Sequence, residues 1–218
     1  MSRVFPLKSR RPGSERRLPG STQADMITGP KPGPIMSYLR EEPLNAENFP
    51  PFAMANAAFG FIPNLFRSQT MRTDLIEVEM ALVNAILIRE GALTRQQKEY
   101  IFLVCSAANL STYCVTAHCE IVRMLKIHGP EPEQVAVDHT HTDLPMRDKA
   151  LLNFALKLNG QPKAFGSRDV EGLRPYGFRD EQILEAVATV GLAKFANTVA
   201  FGLGTLPDFR AVELAQAK

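Results

Sequence analysis

The chain has 218 residues, 45% hydrophobic and 22% charged, enough for one globular domain with a sizeable core plus a tail. Its net charge of +2 is uneven: residues 1–40 hold eight Lys or Arg against two acids, and the mildly acidic remainder argues against a nucleic-acid-binding body. Three clustered cysteines do not make a secreted disulfide framework and point to a reducing cytoplasm, and no apolar run of ~18 residues is free of charge, which argues against a membrane span.

In chain order, residues 1–34 carry six prolines and four glycines with no hydrophobic period. With the residues up to 40 they read as a disordered, basic tail, or as the product of a start upstream of Met26 or Met36. The prolines argue against an amphipathic transit helix. The body is expected over 41–212, with 213–218 as a short end. Pro43 to Pro51 reads as extended, and GFIPNLFR (Gly60–Arg67) sets a proline at a first helical turn. The next helix spans about 74–89, with Asp74 and Glu77 as a capping box, Leu75, Val78, Leu82 and Ile86 as its buried stripe, and Gly91 as its end.

Thr94 and Gln97 form another capping box, opening a helix over about 95–108 whose second half is apolar on every side and therefore buried all round. Asn109 to Thr112 breaks the pattern, and a helix follows over about 112–127. A short helix fits Pro130 to Val137, then a polar connector from Asp138 to Asp143. Helix 147–158 buries Leu151, Phe154, Ala155 and Leu158. Asp169 caps a short helix ended near Gly177, and Asp180 caps a last long one, about 181–201, closed by Gly202. No stretch alternates long enough to require a strand. The fold class is all-α, with about seven or eight helices.

The chemistry-bearing residues gather between Thr94 and His128. Cys114 falls in the first turn of its helix, where unpaired N–H groups and the macrodipole favour a thiolate. His118, four residues on, shares its face and can exchange a proton with it. Glu99, at the mouth of the apolar helix, can orient that imidazole or act as the base, with a pKa raised by burial. Ser111 reads as an N-cap. A histidine four residues from a cysteine also arises by chance, and a cysteine in an apolar helix is commonly a small hydrophobe, as Cys105 reads. Cys119 is five residues from Cys114, roughly 140° around the helix, so the two do not form a disulfide. His139, His141, Asp138 and Asp143 could hold a surface metal ion but read as a solvated linker, and no spacing resembles a structural zinc site. No cofactor or metal is expected, since phosphate loops and nucleophilic-serine elbows are absent.

The blocks GFIPNLFR, GALTRQQKE, AANLSTYCVTAHCEIVR, DVEGLRPYGFRDEQILEAVA and ANTVAFGLG together resemble the carboxymuconolactone decarboxylase-like superfamily, in its alkylhydroperoxidase (AhpD-like), peroxidase-related branch. The resemblance spans roughly residues 52–209 and implies an AhpD-like helical bundle. The family motif is a glutamate, a Cys-x-x-Cys pair twelve residues later, and a histidine four after the second cysteine. Its positions here are Glu99, Ser111, Cys114 and His118. The resemblance implies a peroxide-attacking thiol at Cys114 and a proton relay of Glu99 and His118. The resolving cysteine is replaced by Ser111, which forms no disulfide. Tyr113 replaces another residue that joins the relay in some members.

The expected activity is therefore a thiol-dependent hydroperoxide reductase of one-cysteine type: an antioxidant, peroxiredoxin-like oxidoreductase taking a hydroperoxide and an external thiol. The alternatives are a lactone decarboxylase-like lyase or hydrolase using His118 and Glu99, with Arg123 or Lys126 binding a carboxylate, and a non-catalytic helical oligomer. The resemblance also implies a homo-oligomer; neither nucleic acid nor membrane is expected as a partner.

Overall fold

The computed structural model describes residues 36–44 and 48–209; the expectations for residues 1–35 and 210–218 lie outside these. Among the described residues there are nine α-helices and no strand, so the all-α class stands. They are α1 (Pro50–Phe59), α2 (Asn64–Arg67), α3 (Thr73–Leu82), α4 (Arg95–Ala108), α5 (Thr112–Met124), α6 (Pro132–Asp138), α7 (Met146–Gly160), α8 (Ser167–Glu171) and α9 (Asp180–Leu203). The count exceeds the expected seven or eight because α2 and α8 are single turns.

Helix α4 is the axis of the bundle, with α5, α6, α7 and α9 all packed on it. Its sequence explains the position: Gln97 through Ser106 are buried without interruption, so no face is left for solvent. The expected capping box is present, Thr94 Oγ1 accepting from Gln97 N–H and Gln97 Oε1 from Thr94 N–H. At the other end Asn109 caps the helix and Leu110 takes a left-handed backbone, φ 57°, turning the chain back so that α5 runs alongside. Asn109 and Asn159 exchange side-chain amide hydrogen bonds and tie this turn to α7.

Helix α3 differs from expectation in its cap and its face. Asp74 forms a bidentate pair with Arg72 and no side chain caps the helix. Leu75, Val78 and Leu82 are exposed, Ile86 is half-buried, and the inward positions are Ile76 and Glu79. The helix continues through a π-helical stretch, Val83–Ile88, before the chain extends at Arg89. A smaller core of Phe52, Ala55, Phe66 and Ile76 joins α1, α2 and α3.

Two later caps also differ. Asp169 stands inside α8, where its carboxylate accepts from Gly166 N–H, and α9 begins after Arg179, whose N–H is taken by Gln182 Oε1. Gly204, left-handed at φ 60°, closes α9 in place of Gly202. Helix α9 is by length and composition apolar enough to cross a membrane, but the two charges beyond its first turn are tied into the bundle. Glu185 accepts from Leu93 N–H and Lys194 donates to the Asn159 carbonyl. Tyr38 N–H, from the end of the expected tail, donates to the carbonyl of Leu203, the last residue of α9, and the Met36 carbonyl accepts from Leu206 N–H just beyond it.

Candidate functional site

The turn at Asn109–Leu110 sets Glu99 ten residues before it and His118 eight residues after it, so the two arms bring these side chains level. At the helical rise Glu99 lies ~15 Å and His118 ~12 Å from the turn. His118 Nδ1 meets Glu99 Oε2 at 2.6 Å, and the other carboxylate oxygen accepts from Arg95 Nε at 2.6 Å. The His118 ring stacks on Phe102 with centroids 3.9 Å apart. Carboxylate and aromatic ring thus fix the imidazole in place and direction.

Glu99 is fully buried, and burial by itself would raise its pKa. The charge and hydrogen bond of His118, reinforced by Arg95, outweigh that, so the carboxyl titrates below its ordinary value. This corrects the expectation of a raised pKa: partners on both oxygens favour the anion. Glu99 is an anchor for His118 and a weak base.

Cys114 lies in the first turn of α5, as expected, but only 2% exposed. Desolvation pushes its thiol up to about 12, partly offset by a contact from Ser111 and augmented by the nearby carboxylate of Glu79. The expected thiolate is therefore not the resting form: burial outweighs the helix terminus. Among the described residues no hydrogen bond joins Cys114 to His118, although the two share one face of α5. Ser111 occupies the N-cap position without capping, since its hydroxyl bonds no α5 N–H. Its buried Oγ lies close enough to ease the thiol yet makes no hydrogen bond of regular geometry.

Glu79 was not singled out from sequence. It is 1% exposed, with Oε2 accepting from Gln69 Nε2 at 2.6 Å and Oε1 left without a partner. Burial pushes its pKa up to about 7, against a small downward pull from Gln69. The one available signal was its position three residues after Ile76 and four after Leu75, at the border of the expected apolar stripe.

Tyr113 binds this region together. Its hydroxyl donates to Asp208 Oδ2 at 2.6 Å and accepts from Leu65 N–H at 3.1 Å. Gln69, which holds Glu79, also donates to the Leu65 carbonyl. A surface cleft of about 440 Å³, lined by residues including Asn64, Arg67 and Asp208, lies at the outer end of this network.

The remaining candidates lie apart. Cys105 and Cys119 are free and fully buried, each raised to about 12 by desolvation; Cys105 lies near Lys194, and Cys119 near Glu133 and Arg123. Arg123 is held by Glu120 and Glu133 at the surface. Asp138 accepts from Thr140 and pairs with His141, while His139 Nε2 meets Asn153.

No protein-family model and no curated protein matches the chain. Solved structures do. An alkylhydroperoxidase AhpD core, an uncharacterised peroxidase-related protein from Ralstonia eutropha JMP134, is 30% identical with a TM-score of 0.74, the match covering 79% of this chain and 93% of that one. An uncharacterised peroxidase-related protein from Silicibacter sp. TM1040 is 25% identical, with the same TM-score of 0.74 and coverage of 85% and 97%. The debrominase Bmp8, solved with 2,3,4-tribromopyrrole, is 19% identical at a TM-score of 0.66, covering 76% and 90%, a likeness of fold alone.

Proposed function

The chain belongs to the AhpD-like, peroxidase-related branch of the carboxymuconolactone decarboxylase-like superfamily, and from that premise we propose that it is a thiol-dependent hydroperoxide reductase working through one cysteine, Cys114. The observation that carries the proposal is the buried Glu99–His118 pair, closed at 2.6 Å between two helices, with Cys114 one turn from His118. Such a pair costs desolvation, and holding an imidazole in one orientation beside a thiol is a use for it.

In this mechanism Cys114 Sγ attacks the terminal oxygen of the hydroperoxide, the O–O bond breaks, and the sulfur becomes sulfenic acid. His118, with Nδ1 committed to Glu99, protonates the leaving alkoxide. Ser111 has no thiol to offer and the other two cysteines lie in separate surroundings, so an external thiol reduces the sulfenic acid. The lactone decarboxylase alternative has less support, because Arg123 is committed to surface carboxylates. An exposed apolar row on α9, Leu184, Val187, Phe195 and Phe201, suits a homo-oligomer contact.

Titration of the protein with hydrogen peroxide or an alkyl hydroperoxide, followed by dimedone trapping and peptide mass spectrometry, tests this. Label on Cys114, absent in Cys114→Ser, is the expected result. A folded protein whose Cys114 stays unlabelled overturns it.

A further inference from the structure

Arg95 breaks two local rules of the helix it begins. It is the first residue of α4, where unpaired N–H groups favour an acid, and no acid stands in that turn. It also precedes its partner Glu99 by four residues, the less favourable order for a charged pair along a helix. The start of the helix does not need it, since Thr94 and Gln97 cap one another. What Arg95 does hold is the outer oxygen of Glu99. Its Nε donates to Oε1 at 2.6 Å, while Oε2 meets His118 Nδ1 at 2.6 Å. The arginine side chain is 31% exposed, so its charge stays in contact with water while the carboxylate it neutralises is fully buried.

We infer that Arg95 is the positioning residue of the relay: by holding Glu99 as an anion it keeps the proton of the Glu99–His118 hydrogen bond on Nδ1, and leaves Nε2 as the nitrogen that trades protons. Its use in turnover rests on the hydroperoxide reductase reading. Burial is the strongest influence on Glu99 and pushes it toward the neutral acid; the charges and hydrogen bonds of its two partners make it an anion. Without Arg95, a carboxylate and an imidazolium would face each other in a buried site with no further counter-charge. Such a pair neutralises, one proton passing from Nδ1 to Oε2. His118 is then a neutral ring whose Nε2–H is a poor acid. With Arg95 in place the same two protons sit on the imidazolium, whose Nε2–H is fit to protonate the leaving alkoxide. Thiol and hydroperoxide become sulfenic acid and alcohol with no proton gained or lost, so His118 ends each turnover as it began.

The charged side chains that neighbouring helices bring toward α4 and α5 are engaged elsewhere. Asp148 of α7 accepts from Gln97 Nε2, and Glu133 of α6 holds Arg123. Glu185 of α9 accepts from Leu93 N–H and lies 3.7 Å from Lys98 Nζ. The hold on Glu99 therefore falls to Arg95 on its own helix and His118 on α5.

The test is ring-nitrogen NMR of His118 against pH in wild type, Arg95→Met and Arg95→Lys, with the rate of Cys114 sulfenic acid formation by hydrogen peroxide measured on the same proteins. In the wild type Nδ1 shows the protonated shift from about pH 5 upward, where Glu99 is an anion. In Arg95→Met the Nδ1 signal moves to the bare-nitrogen range on the acid side of the titration while Nε2 stays protonated, and sulfenic acid formation slows about 100-fold. Arg95→Lys, which keeps the charge and a donor, restores most of both. An arginine that only stabilised the fold would change unfolding without changing which nitrogen holds the proton. A bare Nδ1 in the wild type, which needs no variant, overturns the role of Arg95. So do wild-type nitrogen shifts in a folded Arg95→Met, and both results leave the reductase reading standing. A wild-type Cys114 inert to peroxide, with nitrogen shifts that still change in Arg95→Met, overturns the reductase reading and supports the placing of the proton.

Discussion

Among the described residues two glutamates are buried, in two neighbourhoods, and they behave as opposites. Glu99, on α4, has an arginine on one oxygen and a histidine on the other, and its pKa is lowered. Glu79, on α3, has one amide on one oxygen and nothing on the other, and its pKa is raised to about 7. Burial imposes a similar cost on each. The partners decide the sign. One carboxylate is a fixed anion that positions a histidine, and the other changes charge near neutral pH.

The largest effect that would sharpen the contrast is at the paired site. Glu99→Ala leaves Arg95 and His118 without their common anion and is expected to destabilise the protein by about 3–5 kcal/mol at pH 7. The loss should shrink in acid. A depressed folded pKa gives stability that is present above the unfolded value near 4.5 and disappears as pH falls through the folded pKa. Urea unfolding at pH 7 and pH 3 measures both; an equal loss at the two pH values would break the contrast.

Glu79→Gln should do the reverse. A folded pKa of about 7, above an unfolded value of 4.5, means the neutral carboxyl is accommodated below pH 4.5 and its ionisation costs stability as pH rises through 7. The variant is therefore expected to gain at most about 3 kcal/mol at pH 8 and almost nothing at pH 4.5. Thermal or urea unfolding of the two proteins side by side reads it.

The smallest effect concerns the single bond that distinguishes Glu79 from an unpaired acid. Gln69→Met removes the donor to Oε2 and should raise the Glu79 titration by up to about one pKa unit. Carboxyl carbon chemical shifts followed against pH in labelled protein measure this. A fall in the midpoint would mean that water, and not burial, governs the site.

Much of this was legible in the residues. The Thr94–Gln97 box placed α4 to the residue, the uninterrupted apolar run made it central, and the interval from Glu99 to His118 matched a tight helical hairpin. Leu110 is the part of that hairpin that sequence concealed, because a left-handed leucine has no residue signature comparable to glycine. The α3 stripe failed for another reason. Leu75, Val78 and Leu82 form a real apolar row, but periodicity marks a face without saying what covers it, and here the row points outward while Glu79 points in.

The sequence by itself determined the helical class and the spacing of Glu99, Ser111, Cys114 and His118 along the chain, since each follows from residue type and position; the chain reversal that pairs Glu99 with His118 needed the fold. The tertiary structure decided the protonation states: Cys114 as a neutral thiol, Glu99 as an anion, Glu79 poised between the two. The reason is physical. A pKa depends on lost water and on partners brought from distant parts of the chain, and neither is a property of the residue or of its neighbours in sequence.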